Sequence, residues 1–433
     1  MLKQRQLIIP NVLDVLQFTE GYISEKELMM SDFTNNRWLW LMHPGDAIIL
    51  PNEPSKHFVH YMAELLQFDP SELTIIALKK GLKAVVSETL MEGSLLSHLK
   101  TVVNNSWMIN PFSYSPALID LAEALEISLP AQWKALVRQN FCYRINCKSY
   151  FRQLAIAHDL PVPEGEVCRS AEQLVSAINR LLASNKQVLI KQDFNAGGTG
   201  NIGLSFDPEA TFTGIGRHIT LGNPEKVAHE LWTTYTSLVN NQLIVEVYHP
   251  NEGVFTCDIF VPYQSGDLRL VNYAEMRMDR HWIGGEIPAS RLSPSLTDAF
   301  IAYTLKLGRL LQKEGYFGYM CSDIILTTPE QMLFTEINVR QSGFLHADTL
   351  ARRLFGNDYM KQVALLIRKD VHIGSFEKAH SLLDKAGLLF KPGEKKSGVV
   401  FLTIYGSQAE FLIIAPNASS AHTLESALLE VLL

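Results

Sequence analysis

Paired cysteines, which a disulfide framework or a structural zinc site needs, are scarce in this chain of 433 residues. Its five cysteines are scattered, and no two of them form a C-x-x-C pair. The number is odd, so at least one thiol stays unpaired in any disulfide scheme. We therefore expect reduced thiols, as in a cytoplasmic protein. The cysteines are Cys142, Cys147, Cys168, Cys257 and Cys321.

Long apolar runs are also missing. No window approaches the roughly 18 consecutive apolar residues that a membrane-spanning helix requires. The apolar start of the chain is interrupted by Pro10, Asn11 and Asp14, which is unlike a secretory signal peptide. We expect a soluble cytoplasmic protein that does not bind membranes.

The chain has no basic stripe of the kind that nucleic-acid-binding proteins carry. Its formal net charge is -7, and its densest basic stretch, Lys391 with Lys395 and Lys396, is short and typical of a solvated loop. We expect no nucleic-acid partner. Apolar residues make up 47% of the sequence and charged residues 19%, which is enough apolar material for ordinary cores.

Three segments differ in their patterns, and we predict domains at 1–140, 141–355 and 356–433. In the first, a strand-like run at 46–50 is followed by helical apolar spacing at 55–67 and a second apolar run, which indicates an α/β layer. The last segment combines two helices with two strands and predicts a small α+β domain.

The middle segment alternates strands with helices. Strands are predicted at 187–192, 243–247, 254–261, 268–276, 319–326 and 331–337, and helices at 148–155, 171–183 and 295–314. Many strands in hairpins with covering helices favour an α+β sandwich over a doubly wound parallel sheet. The expected fold class is therefore α+β.

A glycine-rich run follows the strand at 187–192. It contains Gly197, Gly198, Thr199 and Gly200, and G-x-G-x-x-G from Gly198 to Gly203 formally matches a dinucleotide fingerprint. That fingerprint needs a helix directly after it, whereas Ile202 to Phe206 is strand-like. Strand, glycine loop and strand instead indicate a hairpin flap whose backbone N–H groups can cover phosphates. Lys191 beside it suits a phosphate contact; the alternative is an ordinary hairpin turn.

Acidic and amide side chains mark the two last strands of the middle segment. Glu336, Asn338 and Arg340 alternate along one strand and so share a face, and a hairpin can bring Asp323 beside them. Three hard oxygen side chains suit Mg²⁺, and Arg340 can hold a phosphate or carboxylate. The stripe can also be the wet face of a strand, but a carboxylate inside the apolar run 319–326 favours a metal site.

Two weaker patterns remain. Glu246 lies in an apolar strand, where its carboxylate can hold a ribose hydroxyl while backbone groups near Val247 contact an adenine edge; a plain strand explains the pattern as well. Arg277 precedes a Gly-Gly turn at Gly284 and can face phosphates or a substrate carboxylate, or belong to a surface salt bridge.

Taken in order, these elements resemble the ATP-grasp superfamily over about residues 141–350. The stretches Asn146-Cys147-Lys148 and Leu189-Ile190-Lys191, the glycine run, Val245-Glu246-Val247, Arg277, Asp323 and the E-x-N-x-R stretch from Glu336 to Arg340 carry the resemblance. It implies ATP held between two α+β subdomains. It further implies that Lys148 and Lys191 contact ATP, and that Glu246 and Val247 contact its adenosine. It implies that Mg²⁺ (or Mn²⁺) is bound by Asp323, Glu336 and Asn338. It also implies that Arg277 and Arg340 stabilise the transferred phosphoryl group.

A narrower resemblance covers the ends of the chain. The stretch from Arg37 to Leu50 is similar to the pre-ATP-grasp domain of peptide ligases of the pheganomycin-synthesis type, and Ser397 to Val400 is similar to their C-terminal domain. This implies an acid and an amine as small-molecule substrates, the amine being an amino acid or a peptide, and a homodimer.

The expected activity is an ATP-dependent carboxylate–amine ligase that works through an acyl-phosphate and releases ADP and phosphate. A small-molecule kinase on the same fold and a nucleotide-binding regulatory protein without turnover are the alternatives. Neither the two substrates nor the base that deprotonates the amine follows from the sequence.

Overall fold

Three β-sheets with covering helices make up the computed structural model of the protein. It describes residues 4–16, 34–78, 85–184, 187–193, 200–213, 215–237, 240–279 and 282–432. All five cysteines lie in these ranges, and each is buried with a free thiol. Within the same ranges, no helix combines the length and the apolar character needed to cross a bilayer.

The first sheet contains four parallel strands in the order β3-β2-β1-β4, as the predicted α/β layer requires. Every residue of β1 and β2 is buried, which is typical of parallel strands covered on both faces. The strands are β1 (Gln6–Ile9), β2 (Ala47–Leu50), β3 (Thr74–Ala77) and β4 (Met108–Pro111). The helices are α1 (Val12–Leu16), α2 (Lys56–Leu66), α3 (Ser87–Leu90), α4 (Gly93–Val102), α5 (Pro116–Ala124), α6 (Ala131–Arg138) and α7 (Phe141–Ile145), with 3₁₀ turns at Asn36–Leu41 and Pro70–Glu72.

The second sheet has five strands in the order β5-β9-β6-β7-β8 and its own apolar core. The prediction that two paired strands enclose the glycine-rich run is confirmed, because β6 and β7 pair antiparallel with Lys191 opposite Asn201. Its strands are β5 (Gly165–Cys168), β6 (Gln187–Gln192), β7 (Asn201–Ser205), β8 (Arg217–Thr220) and β9 (Leu243–Val247). The accompanying helices are α8 (Lys148–Ala157), α9 (Ala171–Ser184) and α10 (Pro224–Tyr235).

The third sheet has eight antiparallel strands in the order β14-β13-β10-β11-β12-β15-β17-β16. Its strands are β10 (Gly253–Val261), β11 (Arg269–Met278), β12 (Trp282–Ile287), β13 (Gly318–Thr328), β14 (Gln331–Asn338), β15 (Ala364–His372), β16 (Gly398–Tyr405) and β17 (Gln408–Ala415). The helices are α11 (Pro294–Lys313), α12 (Leu345–Phe355), α13 (Phe376–Lys385) and α14 (Ala418–Leu432), with a 3₁₀ turn at Tyr359–Lys361.

This sheet crosses the predicted boundary at residue 356. The strands of the last segment pair with β12 through β15, so they extend the middle sheet and do not form a sheet of their own. The division of the chain into three domains stays a prediction.

Helix α11 shows how the sequence sets an element and its packing. Its N-terminus is capped by Ser293, whose Oγ accepts a hydrogen bond from the Leu296 N–H at 3.3 Å, and Pro294 occupies the first turn. Phe300, Leu307 and Leu311 form the buried stripe. The stripe belongs to the same apolar core as Phe255 and Cys257 of β10, so the helix fixes one face of the sheet.

A buried cluster of charged side chains joins the first sheet to the last strands. Arg37 Nε lies 2.8 Å from Glu410 Oε2, and His346 Nε2 lies 3.1 Å from Glu410 Oε1. Lys369 donates a hydrogen bond to the Trp282 carbonyl at 3.1 Å. Burial, followed by the Arg37 guanidinium, lowers the pKa of Lys369 to about 8. The cluster ties the 3₁₀ helix Asn36–Leu41 to β17, 373 residues later.

Candidate active site

The hairpin β13–β14 brings the predicted oxygen side chains together. Asp323 and Glu336 are direct cross-strand partners. Asn338 Nδ2 donates to Asp323 Oδ2 at 3.2 Å and approaches Glu336 Oε1 at 3.4 Å. The alternation of residues along β14 and the hairpin pairing are therefore as the sequence predicts, and two carboxylates and an amide converge on one patch.

Asp323 carries an unsatisfied oxygen. The residue is 8% exposed, and Oδ1 is buried without a hydrogen-bond partner among the described residues. Burial, followed by repulsion from Glu336, raises the pKa of Asp323 well above its usual value. For Glu336 the loss of water acts in the same direction, but the Lys148 ammonium outweighs it and lowers the pKa of Glu336. A further cation at Asp323 would satisfy Oδ1 and lower the pKa of Asp323.

Lys148 opens helix α8 and reaches the hairpin, with Nζ 2.9 Å from Glu336 Oε2. Asp193 holds the start of this helix, since its Oδ1 accepts from the Ser149 N–H at 2.7 Å and its Oδ2 from the Ser149 hydroxyl at 2.8 Å. Asp193 itself directly follows β6, which carries Lys191. One buried carboxylate thus fixes the relative position of the two lysine-bearing elements.

Lys191 forms an ion pair with Glu246 on the neighbouring strand, and both side chains are 6% exposed. The second oxygen of Glu246 contacts Arg152 Nη1 at 3.1 Å. Sequence reasoning missed Arg152, although a signal exists: it lies four residues after Lys148, and this spacing places both side chains on one face of α8. Glu246 is therefore held by two buried cations.

Val247 uses its backbone N–H inside the sheet, where it donates to the Glu164 carbonyl at 2.8 Å. A contact with an adenine edge would need another backbone group of this strand. Of the glycine run, Gly197, Gly198 and Thr199 lie outside the described residues. Gly200 is described and forms a buried turn just before β7.

Arg340 lies beside the oxygen patch. Its Nη2 donates to Asn338 Oδ1 at 3.1 Å, its Nη1 to the Gln341 carbonyl at 3.1 Å, and its guanidinium covers the Phe112 ring at 5.4 Å. The amide oxygen of Asn338 has two lone pairs, so it could accept from Arg340 and bind a cation as well. Arg340 also lines a cavity of about 510 Å³.

Arg277 occupies a different environment. Its Nη1 lies 2.7 Å from Glu425 Oε1 on the C-terminal helix α14, and Arg368 approaches the same oxygen at 3.6 Å. Within the described part of the chain, no hydrogen bond or ion pair joins Arg277 to the oxygen patch. These contacts agree with the alternative of a salt bridge, and a catalytic role for Arg277 stays a prediction.

The predicted Gly-Gly turn after Arg277 is wrong. Gly284 and Gly285 lie inside strand β12 and pair with β11 and β15. A Cβ on Gly284 would lie 1.9 Å from the Ile367 carbonyl oxygen, and one on Gly285 would lie 2.5 Å from the Glu275 carbonyl oxygen. The two glycines thus mark close approach of neighbouring strands, a use of glycine that resembles a turn signal in the sequence.

The residues present fit a hard cation bound together with further oxygen ligands. No cluster of three His, Cys, Asp or Glu side chains suited to a metal occurs in the described residues. Asp323, Glu336 and Asn338 offer two carboxylates and one amide oxygen, which matches Mg²⁺ bound to a few protein oxygens together with water and phosphate oxygens. The unpaired Oδ1 of Asp323 is the structural observation in favour of such an ion.

Comparison with known proteins supports the fold. The sequence profile of the pre ATP-grasp domain matches residues 35–127. A search of curated protein sequences finds no match. Among solved structures, the chain is similar to a biotin carboxylase–ATP complex from Campylobacter jejuni, with a TM-score of 0.62 and 12% identity over 100% of this chain and 92% of that chain.

Two further solved structures are similar over nearly the whole chain. The biotin carboxylase domain of the 2-oxoglutarate carboxylase from Hydrogenobacter thermophilus, in complex with MgADP, ADP and bicarbonate, has a TM-score of 0.58 and 11% identity over 99% of this chain and 89% of that chain. The N5-carboxyaminoimidazole ribonucleotide synthetase from Thermus thermophilus has a TM-score of 0.54 and 12% identity over 99% and 98%. The chain has the ATP-grasp fold, preceded by a pre-ATP-grasp domain.

Proposed function

We propose that this protein is a magnesium- and ATP-dependent ligase that joins a carboxylate to an amine through an acyl-phosphate. The observation that carries the proposal is the convergence of Asp323, Glu336 and Asn338 with two cationic side chains. Lys148 contacts Glu336 at 2.9 Å, and Arg340 contacts Asn338 at 3.1 Å. Oxygen ligands and cations that meet at one edge of a cavity suit phosphoryl transfer, where charge must be neutralised and groups positioned.

In this site Asp323, Glu336 and Asn338 hold Mg²⁺. The bound ion supplies charge neutralisation on the phosphate oxygens. Lys148 and Lys191 contact the phosphates as compact point charges, and Glu246 lies at the ribose. The glycine-rich sequence between β6 and β7 is proposed as the part of the chain that limits the access of water to the nucleotide, because water would hydrolyse an acyl-phosphate.

The reaction has two transfers. In the first, the bond between the terminal phosphorus of ATP and its bridging oxygen breaks, ADP leaves, and the phosphoryl group forms a bond with an oxygen of the substrate carboxylate. Arg340 then steadies the charge on the acyl-phosphate while the amine nitrogen attacks the acyl carbon. The bond between the acyl carbon and the phosphate oxygen breaks, phosphate leaves, and an amide remains; the proton of the amine passes to solvent.

The amine in this proposal is an amino acid or a peptide, which the similarity of Arg37 to Leu50 to peptide ligases favours. Bicarbonate is the acid to compare, because the domain from Hydrogenobacter thermophilus was solved with bicarbonate.

The test is product analysis. The purified protein is incubated with Mg·ATP, pools of acids that include bicarbonate, and pools of amino acids and dipeptides, and ADP, AMP and phosphate are separated by chromatography. We expect ADP and phosphate that depend on an acid, and a hydroxamate when hydroxylamine replaces the amine. EDTA and Glu336→Ala should each abolish turnover.

Glu330→Ala is the matched control, because Glu330 is exposed in the turn of the same hairpin. AMP with pyrophosphate would contradict the acyl-phosphate route. ADP formation without any hydroxamate, together with a phosphorylated acceptor, would identify a kinase. Tight ATP binding without products from any pool would favour a regulatory nucleotide-binding protein.

A further inference from the structure

A cavity of about 510 Å³ separates the first sheet from the eight-stranded sheet. Strand β4 and the residues after it line one side, and residues of β10, β11 and β13 line the other. Arg340 lies in its wall and contacts Asn338, so this side chain connects the cavity to the oxygen patch described above. Its size falls within the roughly 300–1,000 Å³ of small-molecule pockets.

The charged side chains of this cavity are mostly cationic. Arg269, Arg340, Arg352 and Arg353 line it, against one carboxylate, Asp348. The whole chain carries a formal net charge of -7, so the cations are concentrated here against the sign of the molecule. A cleft lined by one sign of charge attracts ligands of the opposite sign.

Among the described residues, the cavity's one arginine–carboxylate ion pair joins Arg352 Nε to Asp348 Oδ2 at 2.9 Å. Arg353 donates from Nη2 to the Leu41 carbonyl at 3.1 Å, and its Nε is buried without a partner in the same part of the chain. Arg269 lies over the Phe260 ring at 5.3 Å, interacts with the Tyr319 side chain and is exposed. Arg269, Arg340 and Arg353 thus form no close ion pair with a described carboxylate, although Asp46 acts on the charge of Arg353 and Arg269 on that of Asp348.

Aromatic rings supply much of the remaining wall, namely Phe112, Tyr114, Phe260, Tyr316, Phe317 and Tyr319. Rings of this kind pack against a flat or apolar body and leave anionic groups to the guanidinium planes. Bicarbonate would fill only a small part of such a space.

We propose that this cavity binds the acid substrate, and that this acid carries a second anionic group besides the carboxylate to be activated. The first carboxylate lies at Arg340, next to the oxygen patch. The second group, a carboxylate or a phosphate, is held by Arg353 and Arg269, and an apolar or aromatic body lies between the two anionic ends. The inference rests on the proposed function for the role of Arg340, but the anion preference of the cavity can be measured without turnover.

The preference follows from the cost of the alternatives. An acid with one carboxylate leaves the half-buried Arg353 without a close ion-pair partner, and a cationic amine is repelled by the arginines. A second anionic group forms charge-assisted hydrogen bonds with guanidinium groups that are already in position.

The test is calorimetric titration without nucleotide and without metal, using matched acids. Phenylacetate is compared with 4-carboxyphenylacetate, hexanoate with adipate, and serine with phosphoserine as the phosphate arm. We expect the acids with the second anionic group to bind at least tenfold more tightly than their partners. The better of the carboxylate and phosphate arms identifies the second group.

Variants locate the binding. Arg353→Met should reduce the affinity for the diacid to that for the monoacid, and Arg353→Lys should restore part of the difference. Arg169→Met, at an exposed arginine outside the cavity, should leave both affinities unchanged. If Arg353→Met lowers the thermal midpoint by more than a few degrees, Arg269→Gln, at the exposed cavity arginine, decides the question.

Equal affinity for monoacids and diacids, no binding by any diacid, or no effect of both arginine substitutions would overturn the inference. The two proposals fail separately. Diacid binding that depends on Arg353, without ADP formation, leaves the cavity assignment standing and contradicts the ligase. Acid-dependent ADP formation that is equal for monoacids and diacids would support the ligase and contradict the cavity assignment.

Discussion

The Lys148 ammonium nitrogen lies 2.9 Å from Glu336 Oε2 and joins the first turn of α8 to the last strand of the hairpin that carries the oxygen patch. The pair is partly buried, with side-chain exposures of 13% and 23%. It places a cation where a nucleotide phosphate and a metal are proposed to meet, so it holds the carboxylate ionised before either arrives.

Lys148→Met should weaken ATP binding about 10- to 100-fold, because a charge-assisted contact of roughly 1.5–3 kcal/mol is lost. Calorimetric titration with a non-hydrolysable ATP analogue and Mg²⁺ measures this change. Lys134→Met is the matched control, since Lys134 pairs with Glu123 on the surface at 2.8 Å. Equal affinities for wild type and Lys148→Met would remove Lys148 from the nucleotide site.

Arg277→Gln separates the two interpretations of that arginine. Because Arg277 pairs with Glu425 on α14, we expect a loss of about 0.5–1 kcal/mol of unfolding free energy and turnover within about threefold of wild type. Urea denaturation and the ADP-release assay test the two parts. A fall in turnover of 100-fold or more at unchanged stability would instead support the catalytic role.

Gly284→Ala should prevent normal folding. Its φ is +141°, and an added Cβ would lie 1.9 Å from the Ile367 carbonyl oxygen, so β12 and β15 would have to separate. We expect a loss above about 4 kcal/mol, visible as loss of soluble protein or of its cooperative unfolding transition. Gly356→Ala is the control: its φ is +83° and no atom lies within 4 Å, so only backbone strain of about 1–2 kcal/mol remains.

Lys369 gives the stability a defined pH dependence. Its folded pKa of about 8 is below the unfolded value near 10.4, so the unfolded chain binds the proton more tightly between these pH values. The contribution of Lys369 to stability is therefore complete above the unfolded pKa and decreases as the pH falls towards 8. Relative to Lys369→Met, wild type should gain about 1–2 kcal/mol between pH 7.5 and 9.5.

Urea denaturation of both proteins at these two pH values measures the gain. Other groups that titrate in this range, such as the buried thiols, are common to both proteins and cancel in the difference. A stability difference that does not change with pH would show that the pKa of Lys369 is not lowered in the folded state.

Local pattern was sufficient for the hairpin that carries the oxygen patch. The period of two along Glu336, Asn338 and Arg340 and the carboxylate inside an apolar run are both local, and Asp323 is indeed the cross-strand partner of Glu336. Helix α11 was equally accessible, because its cap and its apolar stripe lie in consecutive residues.

Pairing between distant segments has no comparable signal in the local sequence. The register of β12 with β15 places Gly284 opposite Arg368, and nothing in either segment alone indicates it. Arg353 was missed for a related reason: the arginine pair Arg352 and Arg353 on an amphipathic helix is typical of a solvated face until the opposite wall of the cavity is known. The ion pair of Arg277 could not be predicted either, because its partner Glu425 lies 148 residues further along the chain.

The ion pair between Arg37 and Glu410 has a consequence for biosynthesis. The two residues are 373 positions apart, and the indole of Trp40 likewise donates to the Leu402 carbonyl at 2.6 Å. At about 5–20 residues per second, strand β17 leaves the ribosome roughly 20–75 seconds after Arg37. Until then Trp40 and Arg37 lack these partners from the end of the chain, and both residues are buried in the folded protein. The 3₁₀ helix Asn36–Leu41 is thus translated early but reaches its final packing only when β16 and β17 are available.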